Sequence, residues 1–322
     1  MVLNYLLGKP GPVTGYGSAT TAAQVAADNA ERIKGRVFIV TGSSAGLGLE
    51  TATVLTKEGG HVILACRPGQ KADQALQSIK EKVPEGQVEL MPLDLGSTAS
   101  IKKFAAEFKS KGTPLHVLIN NAGVMACPYG LTEDGFEMQL GTNHFGHFLL
   151  THLLLDKLKG SGDDCRVVCV SSEAHKLTPK GGIKFDDLKY EQNYSPWYSY
   201  GQSKLANVLY ASELQRRLKA DGVTNVTAYS LHPGGIMTDL QRHTGGAMGY
   251  LLWGLDSCGL FKSIPQGAAT SVTCATSDKV LPHAGGYFED CNPVKPSAYG
   301  QDAEMAKKLW EVTEKELEPF MK

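Results

Sequence analysis

The sequence has 322 residues and a formal net charge of -1, from 32 basic and 33 acidic side chains. Hydrophobic residues make up 42% and charged residues 20%, a composition that is ordinary for a globular protein and excludes a disordered or fibrous chain. The near-neutral charge gives no electrostatic reason to expect a nucleic acid or an anionic membrane as a partner, so we expect a small molecule.

Seven cysteines are scattered along the chain without a C-x-x-C pair, which favours free thiols in a reducing compartment. The apolar run from Met1 to Leu7 is too short for a secretory signal, and no later apolar run approaches the roughly 18 residues needed to cross a bilayer. We therefore expect a cytoplasmic protein without a transmembrane anchor. An organellar location or a peripheral membrane contact stays open.

From about Gly35 onward, short β-branched segments alternate with longer segments in which apolar residues recur every three or four positions. The first pattern predicts strands covered on both faces, and the second predicts amphipathic helices. Their alternation predicts an α/β fold with a single doubly wound (Rossmann) parallel sheet of six strands and helices on both faces. The predicted strands are 37–40, 61–65, 88–91, 115–119, 166–170 and 225–230, and the predicted helices are 47–57, 71–82, 97–109, 142–157 and 200–219.

Two segments do not follow this alternation of strands and helices, one before the first predicted strand and one after the last. Residues 1–34 contain two prolines, several glycines and a short helical stretch at 21–32, so we expect an N-terminal arm packed on one domain that spans residues 35–322. Residues at about 235–263 combine glycines with bulky apolar side chains, which is typical of a mobile lid over a site.

The first predicted strand leads through Thr41-Gly42-Ser43-Ser44-Ala45-Gly46-Leu47-Gly48 directly into a helix. Glycines there allow a tight turn and close approach of the backbone to a pyrophosphate, which the free N–H groups of the helix N-terminus attract. An ordinary strand-to-helix turn is the alternative, but the position after the first strand favours a nucleotide site.

The end of the second predicted strand indicates which dinucleotide binds. An enzyme that uses NAD places an acidic residue there, about 20 residues after the glycines, whereas this chain has Ala65-Cys66-Arg67. A guanidinium binds the 2′-phosphate of NADP(H) and a carboxylate repels it, so Arg67 indicates NADP(H), with a plain surface arginine as the alternative. Asp94 and Leu95, after the third strand, lie where an adenine edge would be contacted.

Two more turns follow predicted strands. Asn120-Asn121-Ala122-Gly123 closes the fourth strand, and His232-Pro233-Gly234, with Thr238 beyond it, follows the sixth. Ligands of open parallel sheets bind at the carboxyl ends of the strands, so we expect both turns at the site, although Asn and Gly also form ordinary turns.

Tyr200 and Lys204 lie four residues apart on a predicted helix and therefore share one face. A phenol has a pKa of about 10, and a neighbouring cation lowers it, so this pair predicts proton exchange with a substrate hydroxyl while a cofactor carries the hydride. Y-x-x-x-K alone also occurs by chance on amphipathic helices. The pair Ser171-Ser172 ends the fifth strand, and we expect Ser172 to hydrogen-bond the substrate oxygen as charge develops.

The order and spacing of T-G-x-x-x-G-x-G, D-L, N-N-A-G, S-S, Y-x-x-x-K and P-G-x-x-x-T resemble those of the short-chain dehydrogenase/reductases over about residues 35–290. Longer segments resemble the branch that contains the retinol dehydrogenases, the WW-domain oxidoreductase and chloroplast-translocon relatives, which generally prefers NADP(H). These segments are Ala65-Cys66-Arg67, Asn143-His144-Phe145-Gly146-His147-Phe148, Ser171-Ser172-Glu173-Ala174-His175 and Ser203-Lys204-Leu205-Ala206-Asn207.

The resemblance implies that residues 35–322 form an NADP(H)-binding catalytic domain with the tetrad Asn143, Ser172, Tyr200 and Lys204. Lys204 would also hold the nicotinamide ribose, and Asn143 would position a water for proton relay. The second serine of the pair matches the catalytic one in this branch, so Ser171 would be structural. The implied cofactor-binding residues are Gly42, Ser44, Gly46, Leu47, Gly48, Arg67, Asp94, Leu95, Asn121, Ala122, Gly123, Tyr200, Lys204, Pro233, Gly234, Ile236 and Thr238.

We expect a mainly hydrophobic carbonyl or alcohol substrate, such as a retinal or retinol, an aliphatic aldehyde, a steroid or another ketone, because the predicted lid is apolar. The same apolar side chains could instead form a subunit contact, and a homodimer stays open. An NADP(H)-sensing scaffold with little turnover is the alternative function. We expect no metal, because the three histidines of the predicted helix 142–157 lack a carboxylate or cysteine at suitable spacing.

Overall fold

The computed structural model describes residues 11–236 and 261–321. Strands and helices alternate through most of this range, as the sequence pattern predicts. The strands are β1 (Val37–Thr41), β2 (His61–Cys66), β3 (Val88–Pro92), β4 (Val117–Asn120), β5 (Cys165–Val170), β6 (Val226–His232), β7 (Tyr287–Glu289) and β8 (Asn292–Val294). The main helices are α1 (Ala22–Asp28), α2 (Gly46–Lys57), α3 (Gln70–Lys82), α4 (Thr98–Ser110), α5 (Gly146–Lys159), α6 (Pro196–Ala220), α7 (Ile264–Thr276) and α8 (Ala303–Leu317).

The strands form one sheet in the order β3-β2-β1-β4-β5-β6-β7-β8. Strands β1 to β7 pair in parallel, and β8 is antiparallel to β7. The predicted doubly wound parallel sheet is confirmed, but within the described residues it has eight strands where the sequence predicts six. The strand order reverses between β1 and β4, and such a reversal opens the crevice in which doubly wound sheets bind ligands.

Helices cover both faces of the sheet, as predicted. On one face α4, α5, α6 and α8 bury apolar side chains such as Phe104, Leu149, Leu205 and Leu309. On the other face α1, α2, α3 and α7 do so. Successive residues of β1 alternate between the two cores, because neighbouring side chains of a strand point to opposite faces.

Two predicted helices differ from the observed ones. The predicted helix 142–157 is a short turn at Met138–Leu140, a π-helical turn at Gly141–Phe145 and then α5. The helix predicted at 200–219 begins earlier, at Pro196, because the Ser195 side chain caps it by accepting a hydrogen bond from the Tyr198 N–H. Tyr200 therefore lies in the second turn of α6.

In the described part of the predicted N-terminal arm, α1 packs against α7 and α2. The Thr21 side chain and Gln24 form a capping box at the start of α1, whose Ala22, Val25 and Ala26 are fully buried. The predicted apolar lid lies mostly outside the described residues, and so does Thr238. Within the described part of the chain, no helix combines the length and the apolar character needed to cross a membrane.

Candidate active site

The carboxyl ends of β1, β4, β5 and β6 lie side by side at one edge of the sheet. These ends carry the glycine loop, the N-N-A-G turn, the serine pair and the H-P-G turn that the sequence analysis singled out. Sequence segments more than a hundred residues apart thus meet at one place, where an open parallel sheet binds its ligand.

The glycine loop is pressed against the N-N-A-G turn. A Cβ atom added at Gly42, whose φ is +66°, would lie 2.7 Å from Cα of Ala122, and one added at Gly48 would lie 2.5 Å from the Gly42 carbonyl oxygen. Among the described residues, no side chain caps the start of α2 at Ala45. The loop therefore has the tight packing and the open helix N-terminus that a dinucleotide pyrophosphate requires.

Asn121 and Ala122 secure this packing through β1. Their backbone N–H groups both donate to the Thr41 hydroxyl at 2.9 Å, and the Asn121 side-chain amide donates to the Thr41 carbonyl at 2.7 Å. The Asn121 amide is thus engaged with the glycine loop. Gly123 lies next to Asn143 and Lys204. A Cβ added at Gly123 would lie 3.1 Å from Oδ1 of Asn143 and 3.5 Å from Nζ of Lys204.

The residues expected to contact the adenosine part of the cofactor follow β2 and β3. Arg67 is exposed directly after β2. The Asp94 carboxylate closes its own turn by accepting from the Gly96 N–H at 2.9 Å. The Leu95 side chain is 7% exposed and belongs to the core, so a ligand would meet Leu95 through its backbone.

Tyr200 and Lys204 are both 3% exposed and face the end of β5. Nζ of Lys204 lies 5.7 Å from the centre of the Tyr200 ring and donates to the Val170 carbonyl at 3.1 Å. The Ser172 side chain lies close enough to the Tyr200 phenol to lower its pKa, and its hydroxyl accepts from the Ala174 N–H at 3.1 Å. Ser171 instead donates to the backbone carbonyl of Lys204 at 2.7 Å.

The pKa values of this pair differ from the expectation. Burial raises the pKa of Tyr200 to about 12, although the hydrogen bond with Ser172 lowers it in part. Burial also lowers the pKa of Lys204 to about 8. The polypeptide alone therefore does not depress the phenol pKa as the four-residue spacing predicts, because complete burial penalises a phenolate and the Lys204 ammonium is directed at the Val170 carbonyl.

Asn143 lies in the π-helical turn, where the Gly146 N–H reaches back five residues to the Gly141 carbonyl. Its Oδ1 accepts from the Val124 N–H at 2.8 Å, and its Nδ2 donates to the Val124 carbonyl and to the Ser203 hydroxyl, each at 2.9 Å. The Asn143 side chain therefore fastens the chain after the N-N-A-G turn to α6, beside Tyr200 and Lys204.

An apolar wall of Met125, Ala126, Ala174 and Trp197 packs beside Tyr200. Ala126 adopts a φ of +47°, and its N–H donates to Oε1 of Gln139 at 2.8 Å, so the wall is held in a defined position. Of the aromatic residues near the start of α6, Trp197 joins the wall, the Tyr194 hydroxyl donates to the Cys127 carbonyl, and Tyr198 is exposed.

The H-P-G turn approaches the glycine loop through a residue that sequence reasoning missed. A Cβ atom added at Gly267 of α7 would lie 2.2 Å from Cδ1 of Ile236 and 2.9 Å from Cδ2 of Leu47. A glycine at this position thus lets both loops converge. Gly234 has a φ of +103° and packs against the Lys262 side chain. No local pattern marks Gly267 or Lys262, because their partners are distant in sequence.

Glu173, His232 and Glu289 bring one potential ligand atom each to within 4.8 Å of one another, a grouping that the sequence analysis did not consider. Their surroundings already contain positive charge. The Lys176 ammonium pairs with Glu173, and the Lys262 ammonium pairs with Asp290 next to Glu289. A lysine of the chain itself thus compensates the Glu173 carboxylate, whereas burial and the neighbouring Glu173 and Asp290 carboxylates raise the pKa of Glu289.

Comparison with known proteins agrees with this arrangement. A family profile described as short chain dehydrogenase matches residues 36–185. The chain is 43% identical over 327 residues to "Short-chain dehydrogenase TIC 32 A, chloroplastic" of Brassica napus, with 98% of both chains covered. It is 45% identical over 282 residues to "Retinol dehydrogenase 11" of Homo sapiens, with 88% of this chain and 86% of that protein covered. A crystal structure of an uncharacterized protein from Mycobacterium Paratuberculosis matches with a TM-score of 0.71 and 37% identity over 95% of this chain and 98% of that one.

Proposed function

Because this chain belongs to the short-chain dehydrogenase family, whose members use nicotinamide cofactors and act on carbonyl or alcohol groups, we propose that it is an NADP(H)-dependent oxidoreductase with Tyr200 as its acid and base. The proposal rests chiefly on one observation. A buried phenol, the Ser172 side chain near it and a buried ammonium one helical turn away lie beside the N-N-A-G turn, on which the glycine loop packs.

These residues support acid–base chemistry at a carbonyl oxygen. A reduced nicotinamide, when bound, supplies the hydride that the carbonyl carbon receives. The Ser172 hydroxyl donates a hydrogen bond to the carbonyl oxygen as negative charge develops there. Tyr200 then gives its phenolic proton to that oxygen, and the product is an alcohol.

Lys204 completes the proposed step beside Tyr200. Its ammonium lies close enough to stabilise the phenolate that remains after proton transfer. Asn143 hydrogen-bonds both Val124 and Ser203 of α6. It thereby holds the face of α6 that carries Tyr200 and Lys204 against the segment that follows Gly123. The proton lost by Tyr200 is later restored from solvent.

We propose that the protonation state of Tyr200 makes the rates of the two directions depend on pH. Burial raises the pKa of the Tyr200 phenol to about 12, so the phenol is protonated at pH 7, as reduction requires. Alcohol oxidation needs the phenolate, which burial makes scarce. A faster reductive than oxidative single turnover at pH 7, with the oxidative rate rising as the pH increases, is the expected result.

Arg67 supports a preference for NADP(H). It is the exposed cation at the end of β2, where a carboxylate would instead favour the ribose 2′-hydroxyl of NAD. A planar guanidinium binds a phosphate through two parallel hydrogen bonds. The apolar wall beside Tyr200 supports a mainly hydrophobic substrate, because Met125 and Trp197 offer contact area and few polar groups.

The function is tested by following NADPH consumption with retinals, aliphatic aldehydes, ketosteroids and quinones, each repeated with NADH. We expect turnover with at least one apolar carbonyl compound and weaker turnover with NADH. Tight NADPH binding without turnover on any compound would contradict the proposal and favour an NADP(H)-sensing scaffold.

The cofactor preference is tested by Arg67→Ala. Loss of a bidentate phosphate contact should raise the KM for NADPH about 10- to 100-fold and leave the KM for NADH nearly unchanged. The matched control is Arg216→Ala, since Arg216 is an exposed arginine near the far end of α6 that pairs with Glu213. Equal changes of both KM values in Arg67→Ala would contradict an NADP(H) site at this residue.

A further inference from the structure

His147 lies in the first turn of α5, four residues after Asn143, and is 2% exposed. Both of its ring nitrogens make short contacts. Nδ1 lies 2.9 Å from the backbone carbonyl oxygen of Asn143, and Nε2 lies 2.9 Å from the hydroxyl oxygen of Thr41. The imidazole therefore bridges the π-helical turn and the end of β1.

The direction of each hydrogen bond follows from the groups involved. A carbonyl oxygen can only accept, so Nδ1 of His147 carries the hydrogen. Burial lowers the pKa of His147 to about 4, which leaves the ring neutral at pH 7. Nε2 then has a free lone pair and accepts from the Thr41 hydroxyl.

Thr41 extends the connection to the N-N-A-G turn. Its oxygen accepts from the Asn121 and Ala122 N–H groups, so its single hydrogen is available for one acceptor. That acceptor is Nε2 of His147 at 2.9 Å or the Ile119 carbonyl at 3.4 Å, and the shorter distance favours His147. A continuous series of hydrogen bonds therefore joins the N-N-A-G turn to Thr41, Thr41 to His147, and His147 to the Asn143 carbonyl.

We propose that His147 is a positioning residue that couples the cofactor loops to the proton-transfer face of α6. This inference rests on the proposed function. At one end, this series of hydrogen bonds reaches Asn121 and Ala122, and Gly42 of the glycine loop packs against Ala122. At the other end it reaches Asn143, whose side chain donates to the hydroxyl of Ser203, the residue before Lys204. A cofactor that orders the loops would thereby order Asn143 as well, without any contact to His147.

A purely structural role predicts a different pattern of effects. A buried imidazole that only fills space would lower the free energy of unfolding when replaced, and the loss would be independent of Thr41. A coupling residue produces non-additive effects with Thr41 on the reaction, because removing either partner breaks the same connection.

The test is a double-mutant cycle of His147→Gln and Thr41→Val, with single-turnover hydride transfer from NADPH and the free energy of unfolding measured for each variant. We expect each single variant to lower the single-turnover rate about tenfold, which corresponds to about 1.4 kcal/mol, and the double variant to fall little further. Thr41→Ser keeps the hydroxyl and should retain most of the rate.

Thr56→Val is the matched control for losing a buried threonine hydroxyl, since Thr56 is 1% exposed and donates to the Ala52 carbonyl at 2.8 Å on α2. It should lower the free energy of unfolding without slowing hydride transfer. Additive rate losses in the cycle, or losses that only follow the free energy of unfolding, would overturn the inference.

Hydrogen exchange separates this inference from the proposed function. NADPH should slow amide exchange in residues 141–147 of the wild type and much less in Thr41→Val. That result would support the coupling even in a protein that reduced none of the carbonyl compounds. Equal protection of the segment in both proteins would overturn it, whatever the turnover.

Discussion

Ser171 and Ser172 are neighbours in the sequence, but their hydroxyl groups serve different parts of the site. Ser172 is within reach of the Tyr200 phenol, whereas Ser171 donates to the Lys204 backbone carbonyl at 2.7 Å. Successive residues of an extended chain point to opposite sides, so adjacent serines cannot both face the substrate. The proposal therefore keeps Ser172 as the substrate contact and Ser171 as a structural residue.

This difference gives a prediction for matched alanine variants. Ser172→Ala should lower the reductive kcat about 10²- to 10³-fold, because it removes a hydrogen-bond donor from the developing negative charge. Ser171→Ala should lower the free energy of unfolding by about 1 kcal/mol and change kcat less than about tenfold. Steady-state kinetics and urea unfolding of both variants measure the contrast. A larger kcat loss in Ser171→Ala would reverse the assignment.

At the scale of elements, the long strands and helices were predictable because each repeats its apolar pattern several times. β7 and β8 have three residues each, too few to show a period, and the sequence analysis missed both. The π-helical turn before α5 was also missed, because five residues are too few to show a period of their own. Such short irregular elements hold Asn143 and complete the sheet.

The site residues show the same limit. Motifs marked the residues that contact the ends of β1, β4, β5 and β6, since their order along the chain follows the strands. Gly267 lies in no motif, and His147 lies in a segment that resembles the family branch but implies no role for the imidazole. The importance of each depends on a partner from another element, Leu47 for Gly267 and Thr41 for His147. The pKa of Tyr200 likewise depends on burial by the whole fold, which a spacing of four residues cannot reveal.

The close approach of two elements at Gly42 yields a second prediction. Gly42→Ala and Gly112→Ala both place a side chain at a positive φ, of +66° and +69° respectively. A Cβ at Gly112 meets nothing within 4 Å, whereas one at Gly42 meets the Ala122 backbone. Gly112→Ala should lower the free energy of unfolding by about 1 kcal/mol. Gly42→Ala should lower it more and should also weaken NADPH binding.

Titration calorimetry with NADPH and urea unfolding of both glycine variants test this prediction. Unchanged NADPH affinity in a folded Gly42→Ala protein would show that the glycine loop does not need its contact with the N-N-A-G turn to bind the cofactor.

At the scale of the whole molecule, several histidines are buried in the neutral form. Burial lowers the pKa of His144 to about 3, of His147 to about 4 and of His232 to about 3. The unfolded chain takes up these protons at about pH 6.5, whereas the folded chain resists them. The fold therefore loses stability as the pH falls below about 6.5, until each folded pKa is reached.

Each of these histidines should contribute a slope of up to about 1.4 kcal/mol per pH unit between about pH 6 and pH 4. Urea unfolding at a series of pH values measures the slope, and His147→Gln should reduce it by up to one histidine's share. A free energy of unfolding that stays constant between pH 7 and pH 5 would contradict the burial of neutral imidazoles.

The central claim concerns the phenol that the whole fold buries at the end of β5. The most direct test measures single-turnover reduction by the Tyr200→Phe variant with bound NADPH. The control is Tyr210→Phe, which makes the same change at another buried tyrosine of α6, one that packs on Phe148 and Trp310. Tyr200→Phe should bind NADPH normally and lose at least about 10²-fold in rate, whereas Tyr210→Phe should react like the wild type. Equal rates in Tyr200→Phe and the wild type would contradict the account.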